Sequence, residues 1–259
     1  MQERKFGYVI DDNRPVRPFL VGIPSRSALP SRARVWTPDA MDQGDTQSCT
    51  GFAAKLMFDG TANTQGLSFS SSALGAYTVA RYAMYPAGQP LQDIGAHFRA
   101  LFEMSMKFGV ISESTCPWNP ASINDNLDFE SVIQGQGRKL GVAGWYSLDA
   151  TGDERMNAIR AALAKGHPVG GAWRLHDGFV QKKTFSNKNG FATYEHEFDT
   201  GDFAGNHAMT IVGYDEIDDR EAFLIQNSWG KGFGTNGLFW AWREWVDTAW
   251  DLTVVKVIP

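Results

Sequence analysis

Three short stretches of the chain carry the residue types of acyl-transfer chemistry at a thiol. The first begins at Gln43 and ends at Cys49, the second holds His207, and the third holds Asn227 and Trp229. A thiol is a strong nucleophile as its thiolate, which a helix N-terminus and a nearby imidazolium stabilise near neutral pH. Such chemistry also needs a base oriented by a third group and donors aimed at the developing oxyanion. The sequence contains candidates for each part.

The elements that must position the cysteine are helical. Apolar residues recur at three- and four-residue steps from Ser48 onward, which predicts a helix with Cys49 in its first turn and Ser48 available as its cap. Two further helices are predicted over Ser71–Met84 and Leu91–Phe108, with Gly109 as the stop of the second. The front half of the chain is therefore expected to be mainly helical.

The second half changes to short runs of β-forming residues separated by Gly and by Asp or Asn clusters. One helix, Asp153–Lys165, interrupts it. The predicted strands are Val142–Ser147, Val169–Leu175, Ala208–Tyr214, Ala222–Gln226, Gly237–Trp242 and Leu252–Ile258. The pattern predicts an α+β protein with a helical lobe over residues 31–139 and a β-rich lobe over 140–259. The thiol and the imidazole would then face each other across the groove between the lobes.

Three blocks of sequence resemble the papain-like cysteine peptidase family: Asp42–Cys49, His207–Tyr214 and Asn227–Gly237. The third, Asn-Ser-Trp-Gly followed by spaced glycines and Asn-Gly, is the most specific. The resemblance covers about Asp42 to the end of the chain. It implies a two-lobe fold, a helical lobe plus a β-barrel-like lobe with the active site in the cleft between them. The chain shows neither a long helical propeptide nor the family's disulfides, and in this it resembles the compact bacterial and viral members.

The resemblance also implies a role for each matching residue. Cys49 corresponds to the nucleophile, and His207 to the partner that holds the thiolate as an ion pair and protonates the leaving amine. Asn227 corresponds to the residue that orients the imidazole. Gln43, six residues before Cys49, corresponds to the side-chain donor of the oxyanion hole. Trp229 is expected to cover the hydrogen bond between Asn227 and His207.

Three positions depart from the family pattern. Thr46 stands where a disulfide cysteine is usual, Gln47 where a small glycine lines the substrate groove, and Thr50 where an aromatic residue follows the nucleophile. A side chain at Gln47 can narrow or reshape the groove beside the thiol, which bears on substrate choice more than on catalysis.

Three functions remain open at this stage. The first is a cysteine peptidase that hydrolyses peptide or isopeptide bonds through a thioester acyl-enzyme. The second is an acyl-transfer enzyme, a transpeptidase or transamidase, that passes the same intermediate to an amine. The third is a binding protein that keeps the fold without turnover, suggested by Gln47 and Thr50 beside the thiol.

Composition narrows the partners of the protein. The formal net charge is −5 at pH 7, and the basic residues are scattered, so nucleic acid is not an expected partner. No apolar run has the length of a signal peptide or a membrane span, which leaves the cytoplasm or export without a signal peptide. We expect a monomer that acts on a peptide or protein substrate and needs no cofactor. The histidines lack a metal-ligand spacing, and Cys116 is expected to be a packing residue.

Residues 1–30 are rich in Pro and Arg and lack periodicity, so they are predicted to form an extended segment rather than a domain. Family members usually begin much closer to the nucleophile. The stretch Phe6–Pro30 is therefore expected to lie across the groove as a plug or to brace its rim.

Two later features are expected to be structural. The acidic run 215–221 is expected to be a solvated hairpin loop. Four tryptophans are expected to be core residues, with one or two able to line the groove: Trp240, Trp242, Trp245 and Trp250.

Overall fold

The structure is a computed structural model that describes residues 4–13, 15–17, 23–85, 89–136 and 139–259. The helices are α1 (Cys49–Thr64), α2 (Ala73–Met84), α3 (Phe98–Phe108), α4 (Phe129–Gly135), α5 (Gly152–Ala164), α6 (Asp177–Val180) and α7 (Arg243–Val246). The strands are β1 (Ala33–Arg34), β2 (Gly141–Ser147), β3 (Val169–His176), β4 (Phe185–Lys188), β5 (Phe191–Tyr194), β6 (Phe203–Ile217), β7 (Arg220–Gln226), β8 (Leu238–Trp242) and β9 (Trp250–Ile258). Among the described helices, none combines the length and the apolar character needed to cross a membrane.

All the strands belong to one sheet with the order β2-β9-β3-β6-β7-β8-β5-β4, and β1 pairs with β6 beside this path. The pairs are antiparallel except for β5 with β8. In the described part of the chain this path is open, so the β-barrel-like lobe takes the form of an unclosed sheet. The α+β prediction is confirmed.

Two hydrophobic cores flank the long strand β6. The first joins α1, α2 and α3 to side chains of the sheet such as Trp145 and Val255. The second packs α5 and α6 against the other strands, with stacked Trp173 and Trp245 rings whose centroids are 5.1 Å apart. Strands β2 and β9 belong to the predicted β-rich lobe but contribute side chains to the first core, which also contains the helices α1, α2 and α3. The division of the chain into lobes between residues 139 and 140 stays a prediction. The cores fix the position of α1 relative to β6, where the cysteine and histidine meet.

Several described elements differ from the sequence prediction, and β1, α4, α6 and α7 were not predicted. The helix predicted over Leu91–Phe108 begins only at Phe98, because His97 caps it: the His97 Nδ1 accepts the backbone N–H of Ala100 at 3.0 Å. Strand β6 is longer than predicted at both ends. The hairpin of β4 and β5 was not predicted, although its turn, Asn189-Gly190, has positive φ at both residues and is a typical hairpin signal.

The acidic run does form a hairpin. Strand β6 ends at Ile217 and β7 begins at Arg220, so Asp218 and Asp219 make the two-residue turn, with φ of 51° and 59°. Such a turn needs left-handed backbone at both positions, which Asp tolerates better than most residues. This prediction from the sequence is confirmed.

Candidate active site

The cysteine thiol lies where helix α1 meets strand β6. Cys49 is the first residue of α1 and is fully buried. Its Sγ accepts the backbone N–H of Ala208 at 3.5 Å, so the strand that carries the histidine also holds the sulfur. The N-terminal dipole of α1 favours a negative charge at this position. Ser48 is the N-cap residue, but its hydroxyl contacts Thr46 instead of capping the helix, contrary to the predicted role.

The histidine and asparagine are brought together by the pairing of β6 with β7. His207 lies in β6, Asn227 directly follows β7, and the His207 Nε2 is 2.8 Å from the Asn227 Oδ1. The Trp229 ring lies over the imidazole with centroids 5.0 Å apart, and its exposed fraction is 4%. Within the described structure the His207 Nδ1 has no hydrogen-bond partner. Because the Asn227 Oδ1 accepts a hydrogen bond from the Nε2, the Nδ1 is the unprotonated nitrogen of the neutral ring.

Gln43 is also buried, and its amide orientation is fixed from one side. The Gln43 Oε1 accepts the hydroxyl of Ser228 at 2.6 Å, which turns the Nε2 toward the cleft. That Nε2 donates to the Thr46 carbonyl at 2.6 Å and to the Lys5 carbonyl at 3.4 Å. The donor is thus already close to a peptide carbonyl, one that belongs to the N-terminal segment.

The N-terminal segment runs through the cleft as an added strand. On one wall, the Ala96 N–H donates to the Gly7 carbonyl at 2.8 Å and the Val9 N–H donates to the Ala96 carbonyl at 3.0 Å. On the other wall, the Tyr8 N–H donates to the Asn206 carbonyl at 3.1 Å. The segment therefore uses backbone groups beside the histidine and on the opposite rim, which an extended peptide in the cleft would also meet.

The fit around Gly7 is too close for any side chain. A Cβ built on Gly7 would lie 1.7 Å from the Gln47 carbonyl oxygen, and one built on Gly95, where φ is 89°, would lie 2.1 Å from the Gly7 oxygen. The neighbouring Phe6 ring packs edge-on against the imidazole of His207, with centroids 5.9 Å apart. These contacts place peptide backbone directly over the candidate nucleophile and exclude water from it.

Ion pairs tie the segment down at both ends. Arg4 contacts the Asp42 carboxylate, and its guanidinium lies 5.7 Å from the Trp229 ring centroid. Further along, Asp11 pairs with Arg99 of α3. These contacts join the segment to the loop before the cysteine and to the helical side of the cleft.

Among the described residues of the predicted N-terminal extension, the first part covers the cleft. Residues 4–9 lie in it, whereas Arg17 lies against β2. Its backbone N–H donates to the Ser147 hydroxyl at 2.9 Å, and its carbonyl accepts the Ser147 backbone N–H at 2.7 Å. Residues 1–3, 14 and 18–22 of the predicted extension 1–30 lie outside the described residues. The covering segment therefore includes residues before Phe6, whereas Arg17, within the expected stretch, lies outside the cleft.

Burial sets the protonation of the two central groups. Burial raises the pKa of the Cys49 thiol, although the backbone N–H groups of Ala208 and Gly7 partly oppose the shift. Burial lowers the pKa of His207 to about 4; the hydrogen bond to Asn227 opposes this shift and the charge of Arg4 adds to it. The closed cleft thus favours neutral thiol and neutral imidazole. The thiolate–imidazolium pair expected from the resemblance is not the form that this closed cleft stabilises.

An aspartate that sequence reasoning missed joins the cysteine loop to the opposite wall. The Asp93 carboxylate accepts the Gln47 backbone N–H, with both oxygens 3.0 Å from the nitrogen. It also accepts the Tyr77 hydroxyl at 2.8 Å, and the Gly95 N–H donates to that hydroxyl at 2.9 Å. No periodicity or motif marks Asp93, because its partners are distant in the sequence.

The three departures from the family pattern have structural explanations. The Gln47 side chain turns toward the Asp93 backbone carbonyl, so its backbone oxygen, rather than its side chain, borders the groove at Gly7. Thr46 donates to the Gln43 carbonyl at 2.8 Å, and Thr50 donates to the Ala96 carbonyl at 2.9 Å. Hydrogen bonds thus connect segments near the nucleophile, and the narrowing expected from the Gln47 side chain is not observed.

The other reactive side chains have structural surroundings. Cys116 is buried and not disulfide-bonded, and its carbonyl accepts the Ser72 hydroxyl. In the part of the chain that the structure describes, no three His, Cys, Asp or Glu side chains form a group that could hold a metal ion. Trp250 lines a cavity together with Tyr8 of the N-terminal segment.

Comparison with solved structures gives the same architecture. Xylellain, a cysteine protease from Xylella fastidiosa, is 25% identical and aligns with 100% of this chain and 99% of its own, with a TM-score of 0.74. A procathepsin B from Trypanosoma congolense covers 98% of this chain and 87% of its own, with the same TM-score at 13% identity, a likeness of fold alone. The papain-like two-lobe fold expected from the sequence is confirmed.

Comparison with sequences identifies the family. A peptidase C1-like protein of Acanthamoeba polyphaga mimivirus is 27% identical over 154 residues, 57% of this chain and 46% of its own length. Cathepsin B-like CP3 of Giardia intestinalis is 25% identical over 213 residues, 78% of this chain and 63% of its own length. The chain thus spans less than two thirds of these relatives. The family model for papain family cysteine proteases matches residues 33–250, so the chain belongs to that family, whose members are peptide-bond hydrolases.

Proposed function

We propose that this protein is a cysteine peptidase that cleaves peptide bonds through a thioester on Cys49. One observation carries the proposal: the Cys49 sulfur lies at a helix N-terminus and accepts the N–H of Ala208, next to an imidazole hydrogen-bonded to Asn227 at 2.8 Å. This arrangement combines a nucleophile, a base and an orienting group.

In the proposed reaction, the Cys49 proton passes to the Nδ1 of His207, and the sulfur bonds to the carbonyl carbon of the scissile peptide. The oxyanion accepts hydrogen bonds from the Gln43 Nε2 and the Cys49 backbone N–H. The carbon–nitrogen bond breaks as the leaving amine takes the proton from His207. Water, deprotonated by the same imidazole, then hydrolyses the thioester, releasing a carboxylic acid and restoring the thiol.

We further propose that residues 4–9 keep the enzyme closed until the segment leaves the cleft. The backbone hydrogen bonds of Gly7, Tyr8 and Val9 support this, since they occupy groups that a substrate would need. Departure of the segment hydrates the thiol and the imidazole and removes the charge of Arg4 from beside His207. Both changes favour the thiolate–imidazolium pair.

The proposal is tested by measuring peptide cleavage with the full chain carrying Gly7→Val, a substitution expected to open the cleft. Mass spectrometry of a mixed peptide library is expected to show cleavage that Cys49→Ala abolishes and that Cys116→Ala, the matched thiol control, leaves intact. Persistent cleavage in Cys49→Ala would contradict the proposal.

The same products distinguish hydrolysis from acyl transfer: with an added amine, new acids indicate a hydrolase, whereas amine adducts as the main products indicate a transpeptidase or transamidase.

A further inference from the structure

The gap between the two backbone edges of the cleft has the width of one peptide backbone. Gly7 of the N-terminal segment lies in it: a Cβ on Gly7 would meet the Gln47 carbonyl oxygen, and a Cβ on Gly95 would meet the Gly7 carbonyl oxygen. Ala96, next to Gly95, makes two backbone hydrogen bonds with the segment. A peptide therefore fits between the cysteine loop and the Gly95–Ala96 edge only while the spacing of the two is kept.

The side chain of Asp93 joins these two edges. Both of its carboxylate oxygens lie 3.0 Å from the Gln47 backbone nitrogen, so it holds the backbone two residues before Cys49. The Gln47 side chain in turn donates to the Asp93 backbone carbonyl. Because Asp93 is half-buried and precedes Gly95 by two residues, it holds the cysteine loop against the edge that carries Ala96.

A buried tyrosine of α2 orients the carboxylate and the edge together. The Tyr77 hydroxyl donates to the Asp93 Oδ1 at 2.8 Å and accepts the Gly95 N–H at 2.9 Å. The Arg81 guanidinium lies 4.1 Å from the Tyr77 ring centroid and donates to the Gln92 carbonyl at 2.9 Å. Tyr77 and Arg81 both belong to α2, so the loop that carries Asp93 is fixed to a helix of the first core.

The same edge is also bonded to helix α1. The Ala96 carbonyl accepts the Thr50 hydroxyl at 2.9 Å as well as the Val9 N–H at 3.0 Å. Thr50 directly follows Cys49, so the carbonyl that an extended peptide would use is tied to the residue beside the nucleophile. Asp93 holds the edge on its N-terminal side, and Thr50 holds it at Ala96.

We propose that Asp93 is a positioning residue of the peptidase. It sets the spacing at which a bound peptide can hydrogen-bond to Ala96 while one of its carbonyl carbons lies at the Cys49 sulfur. The effect on peptide cleavage rests on the proposed function, whereas the hold on residues 4–9 does not. Loss of the carboxylate therefore has two effects of opposite sign: it loosens the segment and exposes the thiol, and it weakens the binding of substrate in the opened cleft.

The first experiment needs no turnover. It measures Cys49 alkylation by iodoacetamide in the full chain, where the rate reports how often the segment leaves. Asp93→Asn is expected to raise that rate about tenfold, the lower end of the range for a hydrogen bond to a charged group, because the asparagine oxygen still accepts one bond. Tyr77→Phe, which keeps the carboxylate, is expected to raise it a few-fold. The double variant is expected to give less than the product of the two increases, because both changes act on one network.

Asp125→Asn, at an exposed position, is the matched control. Labelling at the parental rate in both Asp93→Asn and Tyr77→Phe would overturn the assignment. Hydrogen exchange locates the effect: the Ala96 N–H is expected to lose protection in Asp93→Asn, while the amides paired between β6 and β7 keep theirs. Equal loss at both places would mean that Asp93 only supports the fold, which also overturns the assignment. If Asp93→Asn does not fold, Tyr77→Phe carries the same test.

The second experiment measures kcat and KM in the Gly7→Val chain, with a peptide that this chain cleaves. Asp93→Asn is expected to raise KM several-fold and to change kcat by less than about twofold, because the lost contacts act equally on bound substrate and transition state. Cys49 alkylation in that chain is expected to stay unchanged, since the segment has already left. A fall in kcat at unchanged KM, or no change in either, overturns the assignment. If the Gly7→Val chain cleaves no peptide, the proposed function fails, and the alkylation rates of the full chain still decide whether Asp93 holds the segment.

Discussion

Replacing Gly7 by valine is expected to expel the N-terminal segment from the cleft. The valine Cβ would lie 1.7 Å from the Gln47 oxygen, 2.4 Å from its carbonyl carbon and 2.7 Å from its Cα. All three atoms belong to the backbone of the loop that holds Cys49, so no side-chain rotation can relieve the clash. The segment must move away from the cysteine loop, and its hydrogen bonds on both walls break.

The size of the effect follows from those hydrogen bonds. Three backbone bonds join Gly7, Tyr8 and Val9 to the walls, at 2.8, 3.1 and 3.0 Å. At about 0.5–1.5 kcal/mol net for each, they favour the closed form by about 1.5–4.5 kcal/mol. Since about 1.4 kcal/mol corresponds to a factor of ten, valine is expected to raise the open population about ten- to a thousandfold.

Site-resolved alkylation of Cys49 by iodoacetamide, at one mildly alkaline pH, measures this population. We expect the Gly7→Val rate to exceed the parental rate by that factor, while Cys116 is labelled equally in both. Gly135→Val is the matched control, because a Cβ at Gly135 meets no atom within 4 Å. An unchanged Cys49 rate in Gly7→Val would refute the account of the segment as the closing element.

Three further predictions concern other contacts. Lys55 and Asp59 form a buried ion pair at 2.9 Å. Lys55→Met leaves the Asp59 carboxylate buried without its cation, so urea titrations are expected to show a free energy of unfolding lower by about 3–5 kcal/mol. The loss is expected to be smaller when Lys55→Met is combined with Asp59→Leu. Asp93→Asn in the opened chain is expected to lower kcat/KM for peptides several-fold without changing Cys49 alkylation; equal losses in both would indicate general unfolding instead. Burial opposes ionisation of Asp42, but the hydrogen bonds from Arg4 and Gly44 and the Arg4 charge outweigh it and lower the pKa of Asp42. The pair therefore stabilises the closed form above about pH 4, and this contribution is lost as the pH falls through the lowered value. Because Asp42 is partly exposed, Asp42→Asn is expected to lower the hydrogen-exchange protection factors of residues 7–9 only a few-fold at neutral pH. The parent is expected to lose protection as the pH falls below about 4, and Asp42→Asn is expected to lack that loss; parental protection factors in Asp42→Asn at neutral pH would contradict this.

The residues of the site could be predicted because each lies in a short local motif. The start of α1 follows from apolar periodicity, which places Cys49 at a helix N-terminus. The β-pattern after His207 predicts one strand, and the β-pattern before the Asn227 motif predicts a second strand followed by a loop. Antiparallel pairing of these two strands, β6 and β7, brings the His207 and Asn227 side chains together. The turn at Asp218-Asp219 has a similarly local cause.

The contacts that close the site could not be predicted, because they join distant segments without a periodic signal. Asp93 acts on Gln47 across 46 positions, and Tyr8 reaches Asp251 across 243. Length and composition predicted that an N-terminal segment lies across the cleft or braces its rim, but not which residues do so. The protonation of Cys49 and His207 also escaped prediction, since it depends on burial under that segment rather than on the two residues alone.

The central claim, that Cys49 and His207 form an activated pair once the cleft opens, is tested most directly by the pH dependence of Cys49 alkylation in the Gly7→Val chain. The account predicts rapid labelling that persists well below the ordinary thiol pKa of about 8.5 and that His207→Ala weakens. The parent is expected to be labelled slowly, and only at higher pH. Labelling of the opened chain that rises only near the ordinary thiol pKa, with or without His207, would contradict the account and favour a binding protein with an inert thiol.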